Sequence, residues 1–459
     1  MPLTLLSTDE IREILVRRVD QQKQAVGIVA GVIEPNGRRI VAYGNLAAGD
    51  PRTLDGDTIF EIGSVSKVFT SLVLADMVQR HEVKLDDPAL AYLPEHVNVS
   101  QRSGTPISLL DLSTHRSGLP PFPTNLKLNL TQGELKDTVN VLAFYGVDDL
   151  YQFLSGYELP RDPGAEFEYS NLGAGLLGHI LAHRAGSDYE SLIRIRVTQP
   201  LNMPDTAVRS SSSMKQRAAL GHRATLAPIA HNDWDPSHAL TGAGALRSST
   251  NDLLTFLEAF LGYKESPLAP AMKAMLEVRR PAGQIEIGLA WLIRSTAGRE
   301  IAFHNGGTAG FRSFIGYDPK ERVGVVVLSN ASTLTGIDDI GFHLLNPKLA
   351  LADPEPPTEH IQVPIDPTLL DGYTGRYQVK SDLILEITRD ADRLFAQGFA
   401  ELNGQTVALP RFEVFAEGEK SFFAKVSEQQ IVFETGPDGR ATSLVLIKAG
   451  REMSGARLS

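Results

Sequence analysis

The sequence predicts an α+β fold: an antiparallel sheet flanked by helices and carrying a helical insertion, followed by a small all-β unit. Three observations carry this expectation. Strand patterns at both ends of residues 1–350 bracket a helical middle, a proline-rich stretch interrupts the chain at 351–367, and short alternating runs spaced by polar turns fill 368–459. With 459 residues the chain exceeds what a single core commonly holds, so two units joined by a linker are expected.

The elements follow in order. Ser7 with Glu10 forms a capping-box pattern, and Ile11, Ile14, Leu15 and Val19 recur at helical spacing, which predicts an amphipathic first helix. Residues 25–33 and 39–43 are strand-like and flank the turn chemistry of Glu34-Pro35-Asn36-Gly37, so a hairpin is expected. Residues 66–79 form an apolar helical stretch, and further helical patterns cover 108–114, 150–154 and 172–184. Strand signals return at 287–294, 300–304, 313–318 and 323–329. Beyond the stretch containing Asp353-Pro354-Glu355-Pro356-Pro357 and Pro364-Ile365-Asp366-Pro367, alternating runs at 383–387, 394–397, 421–424, 431–434 and 443–447 predict the small β unit.

Composition removes several function classes. The formal net charge of −11 arises from 44 basic and 55 acidic residues with no basic cluster, which argues against a nucleic-acid partner. There is no cysteine, so neither disulfides nor thiolate ligation of a metal is available. Met1-Pro2-Leu3-Thr4-Leu5-Leu6 has no basic head and meets Asp9-Glu10 early, so a cytoplasmic protein is expected, although a trimmed periplasmic or secreted form reads the same way. No apolar run reaches spanning length, and membrane insertion is not expected.

Three constellations could carry chemistry. In Gly63-Ser64-Val65-Ser66-Lys67, which leads into an apolar helix, residues three apart share a face, so the Lys67 amine can reach the Ser64 hydroxyl while free N–H groups of the first turn face an oxyanion. A buried lysine made basic enough can take the proton from a serine that is otherwise a poor nucleophile. The spacing alone is cheap: Ser212 to Lys215 repeats it inside the polar run Ser210-Ser211-Ser212-Ser213.

The second constellation is Tyr169-Ser170-Asn171, ahead of the small-residue helix Leu172-Gly173-Ala174-Gly175-Leu176-Leu177-Gly178. A tyrosine whose phenolate is stabilised by lysines can shuttle protons, and an asparagine amide can hold a carbonyl and contact the lysine. Tyr43-Gly44-Asn45 has the same spacing, and a lone tyrosine is more often a core aromatic. The third is Phe303-His304-Asn305-Gly306-Gly307, a strand running into glycines where substrate backbone can approach, and where an N–H near Gly307 could complete an oxyanion hole with that of Ser64. The competing reading is a hairpin bulge with a structural histidine.

Taken in order, and with the phrases Phe60-Glu61-Ile62-Gly63-Ser64-Val65-Ser66-Lys67, Leu110-Asp111-Leu112-Ser113-Thr114-His115-Arg116-Ser117-Gly118-Leu119-Pro120 and Pro163-Gly164-Ala165-Glu166-Phe167-Glu168-Tyr169-Ser170-Asn171, the chain resembles the serine β-lactamase and penicillin-recognising superfamily. The resembling branch includes class C β-lactamases, D-alanyl-D-alanine carboxypeptidases, D-aminopeptidases and family VIII carboxylesterases, and the likeness spans about residues 10–345. It implies an acyl-enzyme on Ser64, proton transfer shared by Lys67 and Tyr169, substrate positioning by Asn171, and a substrate and oxyanion edge at His304, Gly306 and Gly307. His304 stands where a Lys-Thr-Gly lysine usually sits, and a mostly neutral histidine argues against a specialised β-lactamase.

The resemblance therefore implies hydrolysis of small-molecule esters, β-lactams or short peptides without a metal or organic cofactor, short-chain carboxylic esters being favoured, with D-amino-acid peptides as the alternative. A non-catalytic β-lactam- or peptide-binding protein is the rival of another class, and a homo-oligomer is allowed. Leu370-Asp371-Gly372-Tyr373-Thr374-Gly375-Arg376-Tyr377 resembles the start of the lipocalin-like barrel appended to some of these hydrolases, with an interior expected to be filled by side chains. No catalytic role is expected for His115, Glu166 or Glu168, and no metal at the scattered His179, His183, His222, His231 and His238.

Overall fold

The computed structural model describes residues 5–126, 142, 145–229, 234–333, 335–356, 360–402, 405–409, 411–425, 429–448 and 451–458. The chain divides into two compact units, residues 1–222 with 228–355, and residues 356–459 with 223–227.

The first unit opens with helix α1 (Thr8–Val16), started by the capping box: Glu10 N–H donates to Ser7 Oγ while the Glu10 carboxylate accepts from Ser7 N–H at 2.7 Å. The hairpin follows as β1 (Gly27–Glu34) and β2 (Gly37–Gly44), and the pairing of Glu34 with Gly37 leaves Pro35-Asn36 as its two-residue loop. A two-stranded ribbon of β3 (Ile59–Glu61) and β4 (Arg247–Ser249) stands apart from the main sheet. The later strands are β5 (Arg280–Ala282), β6 (Ile285–Ile287), β7 (Leu292–Thr296), β8 (Arg299–Gly307), β9 (Arg312–Asp318) and β10 (Val323–Ser329). With β1 and β2 these six form an eight-stranded antiparallel sheet in the order β2-β1-β10-β9-β8-β7-β6-β5. The last strand of the unit lies beside its first, so the whole helical middle is an insertion between them.

β1 and β10 are buried almost throughout, which suits their continuous apolar sequences and means both sheet faces are covered. Register separates the faces. Gly31, Val326 and Ile315 align across β1, β10 and β9, while Phe314 points the other way. On the Gly31 side packs the helix Thr250–Phe260, so close that a Cβ on Gly31 would lie 2.7 Å from Thr250 Cγ2. On the Phe314 side packs the helix Asp338–Leu345, whose Phe342 ring meets Phe314 at 5.1 Å.

Helix α2 (Ser66–Gln79) is buried on all sides from Ser66 to Met77, a central core helix rather than an amphipathic surface one. The other insertion helix that matters to the site is α3 (Asn171–Arg184). One strand expectation fails: residues 287–294 do not form a single strand but two, β6 and β7. A turn separates them, with Gly288 N–H donating to Trp291 O at 2.8 Å and Ala290 in the left-handed region at φ +61. The break is held by the neighbouring chain: Leu289 N–H donates to the Met275 carbonyl at 2.9 Å, and a Cβ at Gly288 would sit 2.4 Å from the same oxygen.

The second unit contains an up-and-down barrel. Its strands are β11 (Gly375–Lys380), β12 (Leu383–Asp390), β13 (Arg393–Leu402), β14 (Gln405–Ala408), β15 (Phe412–Ala416), β16 (Ser421–Ala424), β17 (Gln429–Thr435), β18 (Ala441–Lys448) and β19 (Arg451–Arg457). β11 pairs with both β12 and β19, which closes the ring. β13 accepts β15 along its first half and β14 along its second, so those two short strands share one place in an eight-stranded barrel. Alternate residues, including Tyr377, Leu385, Ile387, Phe422 and Phe433, fill the interior, with Tyr373 stacked on Phe433 at 4.7 Å.

Candidate active site

β3 ends at a single 3-10 turn, Gly63–Val65, that runs directly into α2. Gly63 is required there twice over: its φ is +49, and a Cβ would lie 2.8 Å from both the nitrogen and the oxygen of Gly307. Gly306 is equally constrained, since its Cβ would meet Ile62 O at 2.1 Å. The glycine-rich end of β8 is thus pressed backbone to backbone against the turn that holds Ser64, and Ser313 Oγ on β9 fixes the join by donating to Ile62 O at 2.7 Å. Ser64 remains partly open to solvent, whereas Lys67, one turn along α2, is 1% exposed.

The Lys67 amine lies 2.9 Å from Ser64 Oγ, 2.8 Å from Asn171 Oδ1 and 2.6 Å from the Ala243 carbonyl. Burial without a carboxylate partner pulls its pKa from 10.5 down to about 7. The third contact has no signal in the sequence, because it is made by a main-chain carbonyl. Ala243 belongs to a 3-10 turn, Thr241–Ala243, seated on the small residues of α3. A Cβ on Gly175 would meet Leu240 Cα at 2.8 Å, and one on Gly178 would meet Gly242 Cα at 2.9 Å. The run of small residues in α3 therefore brings a carbonyl to the lysine, and only the run itself was visible in the sequence.

Tyr169 precedes the N-cap of α3. Ser170 Oγ accepts from Gly173 N–H and donates to Pro120 O at 2.6 Å, and Asn171 N–H donates to Pro121 O, which orients Tyr169 and Asn171 toward α2. The Tyr169 hydroxyl is near enough to Ser64 for the serine to favour its ionised form, and its ring lies 5.0 Å from the Lys67 amine. The expectation of a lysine-stabilised phenolate is corrected by the structure: burial outweighs the influence of Ser64 and raises the phenol to about 12. His115, expected to be structural, sits under this tyrosine, ring centroids 4.3 Å apart.

His304 lies on β8 and is buried. Its Nδ1–H donates to the Asn305 carbonyl at 2.7 Å, and Nε2 has no partner among the described residues. Burial, followed by the charge of Lys67, drives its pKa down to about 3, so the imidazole is neutral. The β7 ladder ends at Leu292 opposite Phe303, whereas β9 continues alongside β8 to Gly307. From His304 to Gly307, β8 therefore presents one edge that no strand among the described residues pairs.

Ser64, Lys67, Tyr169, Asn171, His304, Gly306 and Gly307 thus converge, joined by hydrogen bonds, ring contacts and backbone packing. The decoys stay apart. Ser212 and Lys215 are exposed on the short helix Ser212–Gln216, and the Tyr43 hydroxyl donates to Asp20. Glu166 is exposed, while Glu168 is half-buried against Arg161 rather than simply facing solvent. His179 accepts or donates at 2.8 Å to the Tyr151 hydroxyl, and His231 lies outside the described residues.

A clustered Ser, Lys and Tyr beside a glycine-rich strand edge, on this sheet and helical insertion, defines a serine hydrolase of β-lactamase fold. The Beta-lactamase family matches residues 13–345, and the chain belongs to it. Among curated relatives, the D-alanyl-D-alanine-carboxypeptidase/endopeptidase AmpH of Escherichia coli (strain K12) is 27% identical over 338 residues, covering 69% of this chain and 84% of that protein. Penicillin-binding protein 4* of Bacillus subtilis (strain 168) is 25% identical over 444 residues and matches 91% of both chains. Among solved structures, a β-lactamase/D-alanine carboxypeptidase from Yersinia pestis, complexed with citrate, superimposes with a TM-score of 0.63 at 26% identity, covering 74% of this chain and 96% of that one. The octameric penicillin-binding protein homologue from Pyrococcus abyssi shares the fold along 98% of this chain and 100% of its own, with a TM-score of 0.65 at 21% identity.

Proposed function

We propose that the protein hydrolyses short-chain carboxylic esters through an acyl-enzyme on Ser64, and that it also acylates slowly with β-lactams. The observation that carries the mechanism is the set of three contacts around Lys67. Asn171 Oδ1 and the Ala243 carbonyl can only accept, so a neutral lysine sends its two protons to them and turns its lone pair to the Ser64 hydroxyl. Lys67 is then the base that takes the serine proton. Tyr169, protonated throughout the neutral range, gives its hydroxyl proton to the departing alkoxide and takes in its place the proton that Lys67 removed from Ser64, so lysine and tyrosine both end neutral and the alcohol leaves.

The N–H groups of Ser64 and Gly307 hold the oxyanion, the latter brought close by the packing of Gly63 on Gly307. Water then attacks the acyl-enzyme by the reverse proton route. Ester preference rests on His304: a neutral imidazole supplies no fixed charge for a substrate carboxylate. A second reading, D-amino-acid peptides, is favoured by the unpaired edge of β8, which can pair with an extended acyl group, and by the activity named for the Escherichia coli relative.

The test is covalent. On brief exposure to an activated ester or a β-lactam, intact mass rises by one acyl group in the wild type and not in Ser64→Ala, with turnover falling by about 10⁴-fold or more. An equal mass gain in the variant overturns the assignment. Parallel rates with p-nitrophenyl esters, a chromogenic cephalosporin and D-alanine p-nitroanilide decide between the two substrate readings, and no turnover of any of them returns the protein to a binding role.

A further inference from the structure

We propose that His115 is a positioning residue for Tyr169, gripping the backbone on both sides of the tyrosine as a neutral imidazole with its proton on Nε2. The inference rests on the Ser64, Lys67 and Tyr169 mechanism above, because it concerns where the tyrosine hydroxyl is held.

The geometry is a two-point clamp. The carbonyl of His115 accepts from Glu168 N–H at 2.8 Å, and its Nδ1 accepts from Ser170 N–H at 3.2 Å. On an extended segment the N–H groups of residues two apart point the same way, and Ser170 is extended at φ −129, ψ 113. One residue thus takes the donors on either side of Tyr169, and its ring covers the tyrosine face at 4.3 Å, tilted by 37°. His115 adopts φ +55 to do so, a conformation a residue with a Cβ rarely holds without compensating contacts.

The neighbouring residues extend the same cradle. Arg116 O accepts from Gly164 N–H, and the Arg116 guanidinium donates to the carbonyls of Gly164 and Ala165. These contacts hold the start of the tyrosine segment, whereas His115 takes the backbone N–H groups of the two residues adjoining Tyr169.

The clamp fixes the proton's place. A backbone N–H can only donate, so Nδ1 must offer its lone pair and the neutral ring must carry hydrogen on Nε2, an atom buried with no partner among the described residues. The titratable or charged groups facing the ring are Tyr169 beneath it, Lys67 from α2 and His304 from β8. Burial first, then the charge of Lys67, keeps the ring from protonating. A proton on Nδ1 would face the Ser170 N–H and open the clamp.

Two measurements test this. In the wild type, nitrogen-15 spectra of the imidazoles should show His115 with an unprotonated Nδ1 and an Nε2–H through the neutral range; the opposite tautomer overturns the proposal. In kinetics, His115→Gly tolerates the backbone angle but loses the acceptor, whereas His115→Asn tolerates the angle and places Oδ1 near the lost Nδ1. The Gly variant should lose about 10- to 100-fold in kcat with KM little changed, and the Asn variant should recover most of it.

Combined with Tyr169→Phe, His115→Gly should add almost no further loss, because both changes remove the same placed hydroxyl. Additive losses, or an Asn variant as impaired as the Gly variant, overturn the role. Acylation of Ser64→Ala, run alongside, separates failure of the clamp from failure of the mechanism: a labelled Ser64→Ala protein overturns the nucleophile, whatever the spectra show.

Discussion

Two Ser-x-x-Lys sequences lie at helix starts in this chain, and only one is part of a site. Ser64 and Lys67 begin a helix buried on all sides, with the lysine 1% exposed and its three contacts supplied by three different parts of the fold. Ser212 and Lys215 lie on a five-residue helix with both side chains in solvent. The spacing is identical and the chemistry is not. What turns a lysine into a base is the loss of water around it together with acceptors for the two protons it keeps.

The comparison can be broken most decisively at the lysines. Lys67→Arg keeps a cation that does not lose its proton at any working pH, and should lower kcat by about 10³-fold, whereas Lys215→Arg should leave it within about twofold. Equal effects would show that burial is not what distinguishes the pair. Steady-state rates with one activated ester are sufficient.

The next effect is on pH. Lys67 acts when neutral, so kcat/KM should rise with pH through a midpoint of about 7, and Lys215→Met should leave that midpoint in place. Stability carries the same sign. The folded-state pKa lies below the 10.5 of the unfolded chain, so unfolding takes up a proton between about pH 7 and 10.5, and stability should increase across that window. Denaturant melts of wild type and Lys67→Met check this: the variant should show a flatter rise there.

A smaller change is expected at the strand edge. His304→Lys replaces a neutral imidazole with a cation and should raise the preference for carboxylate-bearing substrates over neutral esters by about tenfold, measured as a ratio of kcat/KM values. An unchanged ratio would remove His304 from substrate contact. The smallest effect is at Gly178, where an added methyl meets the Gly242 backbone at 2.9 Å. Gly178→Ala should cost about 1–3 kcal/mol in a denaturant melt and weaken acylation by shifting the Ala243 carbonyl.

Much of this was legible in the sequence because it is local. Ser64 and Lys67 are three residues apart across the 3-10 turn that runs into α2, and Tyr169 and Asn171 flank an N-cap serine, so short-range geometry nearly determines their directions. The barrel was legible as alternation, which its closed ring preserves strand by strand. The unread parts depend on distant backbone. Ala243 lies 176 residues from Lys67 and acts through a carbonyl that every residue type possesses. The break at Gly288 is held by the carbonyl of Met275, and the clamp on Tyr169 comes from a left-handed histidine more than fifty residues away. The ionisation of Tyr169 was misread for the same reason, since nearby lysine was visible and burial was not.

The contribution of Ala243 through its main chain also bears on how this site can change over generations. A side-chain ligand is lost by one substitution, but a carbonyl survives any replacement that keeps the turn, so Ala243 is freer to drift than the base it serves, unlike Gly242, whose added Cβ would lie 2.9 Å from Gly178 Cα. The constraint is displaced onto Gly175 and Gly178, where no larger residue fits without moving that turn. Relatives that vary around Ala243 yet keep both glycines would retain a working lysine, and those that lose the glycines would need another way to hold it.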